Sequence, residues 1–120
     1  MAGVTNKPRE IQKTALPSQT NSEGSVTITV TPKNISQLTF EIVLDTHSGS
    51  LDEDLTQNAV LIDSWGNIQK PISWTGDPPG GHHRKGELLF QPFSQKTKSL
   101  TLKISNTGEI PERKFIWNVR

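Results

Sequence analysis

Val26-Thr27-Ile28-Thr29-Val30-Thr31 is the stretch that decides the fold. Apolar and polar residues alternate with period two, and β-branched side chains occupy both faces. That is the pattern of a strand with one face in a core. Pro32-Lys33-Asn34 breaks it, and Leu38, Phe40, Ile42 and Leu44 then form a second inward row. Ala59 to Asp63 is a short apolar run. Asp63-Ser64-Trp65-Gly66-Asn67 after it carries turn chemistry. Ile68 to Trp74 reads as a returning strand, which Pro71 demotes to an edge or a bulged strand. Leu88-Leu89-Phe90 starts the next. Leu100, Leu102 and Ile104 alternate again, and Phe115, Trp117 and Val119 close the chain. About seven short strands with turn signals between them predict an all-β fold, an antiparallel immunoglobulin-like β-sandwich over residues 25–120. Ser50 to Leu55 is expected to be a loop or one short helical turn.

Composition sets the outer bounds. The chain has 120 residues, 31% of them hydrophobic and 21% charged, with a formal net charge of +1. This size allows one domain. The apolar share is low but sufficient for a small sandwich once a polar tail is set aside. No apolar run reaches 18 residues, so no stretch reads as a transmembrane helix. There is no cysteine, hence no disulfide, thiolate nucleophile or cysteine zinc site. Residues 1–24 carry scattered apolar residues with Pro8, Pro17 and a polar Ser18-Gln19-Thr20-Asn21-Ser22 run. They are expected to be a disordered linker or tail. No signal-peptide pattern is present, which leaves two readings: a cytoplasmic protein with a loose tail, or a domain whose signal or anchor lies outside the chain, the one a spacer of this kind favours.

Charge is unevenly spread. Between Lys33 and Lys70 there is no Lys or Arg, but there are Glu41, Asp45, Asp52, Glu53, Asp54 and Asp63. From Arg84 onward, basic residues dominate. The result is a dipolar domain without the clustered basic face and strongly basic pI of a nucleic-acid binder.

Two segments stand out from scaffold. Asp45-Thr46-His47-Ser48-Gly49-Ser50-Leu51-Asp52-Glu53-Asp54 is one; Trp74-Thr75-Gly76-Asp77-Pro78-Pro79-Gly80-Gly81-His82-His83-Arg84-Lys85-Gly86 is the other. They hold all three histidines, and both follow strands, so they are expected to meet at one end of the sandwich. Imidazole is a common transition-metal ligand and carboxylates can complete its shell. One reading is therefore a copper or zinc site built from His47, His82 and His83 with Asp52 or Asp54. The other is a structural polar network, in which Asp45 or Asp52 accepts hydrogen bonds from His83 or Arg84. No spacing matches a known metal motif, and the glycine and distal glutamate of an EF-hand are missing after Asp52-x-Asp54.

No catalytic constellation can be assembled: Ser48 beside His47 is adjacency, and Gly80-Gly81 leads to histidines and a strand rather than a phosphate-binding helix. The chain is expected to be no enzyme. Trp117 reads as core. Trp74 is expected to cover the base of the histidine loop. Trp65, at a hairpin tip, either packs on neighbouring chain or stacks on a sugar or partner. A carbohydrate or small-ligand module therefore stays open beside the metal reading.

Asp45 to Ser48, Asp52 to Leu55, Trp74, Pro78 to Arg84 and Gly86 together carry a resemblance. The chain resembles small domains of bacterial and archaeal exported proteins and lipoproteins. More loosely, Ala59 to Ile104 is similar to immunoglobulin-like lipoprotein domains with a Leu-x-Asp-x-x-Gly hairpin, here Leu61 to Gly66. The resemblance implies an extracytoplasmic β-sandwich, periplasmic or at the cell surface, attached by a linker. It implies no particular activity. The expected function is a non-enzymatic module for interaction with another protein or a metal ion, touching a membrane only through an anchor outside the chain.

Overall fold

The alternation at Val26 to Thr31 becomes strand β2 (Val26–Asn34), with Val26, Ile28 and Val30 buried. A computed structural model of the protein describes residues 16–119. The linker expected over residues 1–15 lies outside the described residues. The other elements are β1 (Gln19–Asn21), β3 (Thr39–Thr46), the helical turn α1 (Leu55–Asn58), β4 (Ala59–Asp63), β5 (Ile68–Gln69), β6 (Pro71–Gly76), β7 (His83–Phe90), β8 (Ser99–Thr107) and β9 (Ile110–Asn118). They form two antiparallel sheets that pack as a sandwich, ordered β1-β2-β3-β7-β6 and β5-β4-β8-β9. The all-β sandwich expected from periodicity is what the chain adopts.

The core lies between the sheets. Phe40 meets Phe90 edge-on at 5.8 Å and Trp117 at 5.6 Å between ring centroids. Ile28, Ile42, Leu44, Leu61, Leu88 and Leu102 surround them, all fully buried. Each such side chain contributes roughly 1.5–3 kcal/mol relative to leaving it exposed. α1 is a single turn. Asp54 caps it, accepting from the Thr56 N–H at 3.0 Å, and Leu55 is its buried residue.

Three details differ from the sequence reading. The first is the N-terminal boundary. Gln19 to Asn21 pair with β2, and Leu16 packs against the core. The Trp117 Nε1–H donates to the Pro17 carbonyl at 2.7 Å, and the Gln19 amide bonds the backbone of Ile116 on β9. Residues 16–24 therefore close one open side of the sandwich, where a linker was expected. The second is the stretch from Ile68 to Trp74. It is two edge strands in different sheets, β5 and β6, with Lys70-Pro71 as the crossing and a register shift between Pro71 and Ser73. Proline cannot donate to a ladder, so the break falls where the backbone must leave one sheet for the other. The third is β7, which begins at His83 rather than near Leu88.

Antiparallel register sorts the connections into two ends. Thr46 lies opposite Val26, and His83 opposite Asp45. The β1–β2, β3–α1, β6–β7 and β8–β9 connections thus share one end. The β2–β3, β4–β5 and β7–β8 connections share the other.

Candidate functional site

The two conspicuous segments do meet at the first end. Backbone bonds stitch them: Thr46 N–H to His82 O (2.9 Å), Leu51 N–H to Gly81 O (3.0 Å) and Gly80 N–H to Leu51 O (2.8 Å). Gly81 has a φ of +74°, a left-handed conformation natural to glycine. That turn allows the carbonyls of Gly81 and His82 to reach the opposing loop.

The register explains which side chains follow. Residues alternate between faces of a strand, so Leu44 and Arg84 point inward while Asp45 and His83 point outward. Arg84 is 2% exposed. Its Nη1 donates to the carbonyls of Glu53 (2.8 Å) and Leu51 (3.3 Å), and Nη2 stands 3.5 Å from that of Asp77. The guanidinium carbon sits 5.1 Å from the centre of the Trp74 ring, a cation–π contact. Trp74 in turn donates its Nε1–H to the Asp77 carbonyl at 2.8 Å. A Cβ on Gly86 would lie 2.5 Å from Trp74 Cζ2, so glycine there makes room for the ring. Trp74 covers the base of the histidine loop, as expected.

The expected network is present in one half and altered in the other. Asp45 accepts from His83, with Nδ1 and Oδ1 2.5 Å apart, on an outer surface where the two side chains are 53% and 59% exposed. Arg84 does not bond Asp45 or Asp52; it satisfies main-chain carbonyls, which a five-donor fork does well. Asp52 accepts from the Ser50 hydroxyl at 2.7 Å. Asp54 is occupied by the Thr56 hydroxyl and N–H. These bonds, with the charge of Arg84, hold its carboxyl below the ordinary range.

His47 and His82 are exposed, and neither joins the Asp45–His83 pair. Among the described residues, no three His, Asp or Glu side chains converge into a group that could hold a metal ion. His47, His82, His83, Asp52 and Asp54 are therefore brought to one end but not to one point. Alternation along the chain is the reason: His82 precedes β7, while His83 begins it and is committed to its cross-strand neighbour.

A second buried arginine, Arg113 on β9, escaped the sequence reading. It is 1% exposed and donates to the carbonyls of Val26 (2.7 Å) and Thr107 (2.8 Å) and to Asn21 Oδ1 (2.9 Å). Burial pushes its pKa down, and the charges of Glu23 and Glu109 partly oppose this. Its signal was a basic residue on the inward parity of Phe115 and Trp117.

The opposite end is built differently. Leu38 and Leu100 floor an open groove of about 660 Å³, walled by Ile35, Phe93 and Val119. Lys96 and Lys98 line it as well. Beside it stands Trp65, 65% exposed, its Nε1–H donating to the Lys96 carbonyl at 3.0 Å. The β4–β5 turn that carries Trp65 is pinned by buried Asp63. That carboxylate accepts from Trp65 N–H (3.0 Å), Asn67 N–H (2.8 Å) and Asn67 Nδ2 (3.1 Å). Burial alone would raise its pKa, but these bonds outweigh burial and hold it below the ordinary value.

Among the described residues no helix is long and apolar enough to cross a membrane. Comparison with protein-family models, with curated proteins and with solved structures finds no significant match.

Proposed function

We propose that this chain is a non-enzymatic binding module, an immunoglobulin-like sandwich that takes up an apolar ligand at the end opposite the histidines. The observation that carries the proposal is the groove over Leu38 and Leu100. Its volume of about 660 Å³ falls in the roughly 300–1,000 Å³ range of small-molecule sites, and such sites are mostly apolar with a few polar groups. The opening of about 510 Å³ at the histidine end is lined by Glu41, Asp77, His83, Lys85 and Glu87, charged and polar groups that suit an apolar ligand poorly. The immunoglobulin-like assignment is supported by strand order. Leaving β1 aside, β2-β3-β7-β6 and β5-β4-β8-β9 correspond to sheets ABED and C′CFG of that architecture. An extracytoplasmic location rests on the sequence resemblance and belongs to the same proposal.

A neutral fluorescent probe, N-phenyl-1-naphthylamine, tests it. The probe is expected to brighten on binding the protein. Ser36→Trp, an exposed groove-lining position, is expected to weaken binding by about tenfold or more. His83→Ala at the other end is expected to leave it unchanged. No brightening, or equal loss in both variants, would overturn the groove as the binding site.

A further inference from the structure

We infer that the groove takes an anionic amphiphile, a long-chain carboxylate whose tail lies over Leu38 and Leu100 and whose head meets Lys96 and Lys98. The inference rests on the binding reading above and adds the ligand class. Among the groove-lining residues there is no Asp or Glu, while two are lysines. Lysine stems are aliphatic and extend apolar surface, with the ammonium at its water-facing limit. Among the other described lysines, three have carboxylate partners, and Lys33 and Lys70 do not line the groove. Lys85 stands 3.7 Å from Glu41, Lys103 3.7 Å from Glu112 and Lys114 3.3 Å from Glu112. Among the described residues, no carboxylate lies within 4.0 Å of Lys96 or Lys98. An apolar trough with two uncompensated cations on its lip complements one negative charge on an apolar chain.

The lip is also preorganised. The Ser64 N–H donates to Thr97 Oγ1 at 2.7 Å, the Lys98 N–H to Ser64 Oγ at 3.1 Å and the Thr97 hydroxyl to the Ser99 carbonyl at 2.6 Å. With the Trp65 bond to the Lys96 carbonyl, the backbone from Lys96 to Lys98 is tied to the β4–β5 turn. A ligand meeting such a lip need not order it, which removes part of the cost of binding.

The experiment is displacement of bound N-phenyl-1-naphthylamine by matched twelve-carbon chains below their micelle concentrations. Laurate is expected to compete best, dodecanol less well and dodecyltrimethylammonium least; butyrate is expected to fail for want of a tail. Lys96→Gln/Lys98→Gln is expected to bring laurate down to the level of dodecanol, on the order of tenfold for two exposed charge pairs. The variant should leave dodecanol competition and the melting temperature unchanged. Equal competition by all three twelve-carbon chains would overturn the anionic ligand and leave the groove standing. Failure of the probe itself to bind would overturn the groove. Displacement by an acidic apolar nonapeptide at lower concentration than laurate would overturn the amphiphile in favour of a peptide.

Discussion

At the histidine end, polar groups are buried and face one another; at the groove end, apolar groups are left open to water. Arg84, Trp74, Asp77 and the β3–α1 carbonyls form a set in which the Arg84 Nη1 and Nη2 and the Trp74 Nε1 donate to main-chain carbonyls inside the molecule. Ile35, Phe93 and Val119 form an open set, packed on the core from one side only. The difference teaches that a chemically conspicuous motif and an open apolar surface are separate properties. Histidines, glycines and an arginine drew attention to the first end. Arg84 and the backbone of Gly80, Gly81 and His82 hold two long loops together there, because loops that cross the mouth of a sandwich must find partners for buried backbone carbonyls.

The comparison breaks most visibly at Arg84. Replacing it by Met (Arg84→Met) keeps much of the volume and removes the fork, leaving the Glu53 carbonyl without its donor and the Leu51 carbonyl with only its bond from the Gly80 N–H. The expected loss is about 3 kcal/mol, the upper part of the range for a buried acceptor left unpaired. In a domain of this size that lowers the melting temperature by at least ~10 °C. Arg84→Lys is expected to recover only part, since an ammonium cannot reproduce the planar fork. Urea unfolding of the three proteins checks both statements. A loss below about 0.5 kcal/mol for Arg84→Met, the scale of an ordinary surface change, would mean that the two loops are held by their backbone bonds alone.

How much of this was legible follows from what periodicity can see. β2, β3 and β8 alternate hydrophobic with polar residues, so their faces could be assigned from sequence. β7 alternates too, but its inward row opens with Arg84 and Gly86 before Leu88. A hydrophobic pattern cannot register an arginine whose neighbours are carbonyls or a glycine that clears space for Trp74. β1 is Gln19-Thr20-Asn21, three polar residues that become a strand only because the edge of β2 is there to pair with. The meeting of the histidine loops was legible because both follow strands that end at the same side. The groove was not. Its residues come from Ile35 to Leu38, Pro92 to Leu100 and Val119, segments that separately look like ordinary turns with one or two apolar residues. Only the antiparallel register brings them to one end.

At the groove end, Asp63 sharpens the comparison through pH. Its folded-state pKa lies below the ordinary 3.8 because the hydrogen bonds from Asn67 and Trp65 outweigh the cost of burial. The unfolded chain therefore takes up a proton at a higher pH than the folded one. The contribution of Asp63 is fully present above about 3.8, and it is lost as pH falls through the lower, folded value. Asp63→Asn is expected to cost about 1–2 kcal/mol at pH 7, where a charged acceptor is replaced by a neutral one. The gap between the two proteins should close as acid is added. Urea unfolding from pH 7 down to about pH 2 reads this directly. A gap that stays constant with pH would place the origin of the turn's stability in its shape and not in the ionised carboxylate.

The smallest effect is expected where the sequence looked most functional. The His83 and Asp45 side chains are each more than half exposed, so their hydrogen bond competes with water on both sides. His83→Ala is expected to cost about 0.2–1 kcal/mol, the range of exposed charged pairs. Asp45→Asn should fall in the same range, and the double variant should cost little more than either single one, because both remove the same contact. A double-mutant cycle measured by urea unfolding at pH 7 tests the pair without reference to any ligand. A His83→Ala loss approaching that of Arg84→Met would remove the distinction between the outward and inward rows of β7. The strand alternation that separates His83 from Arg84 would then no longer explain why adjacent residues in one motif carry such different loads.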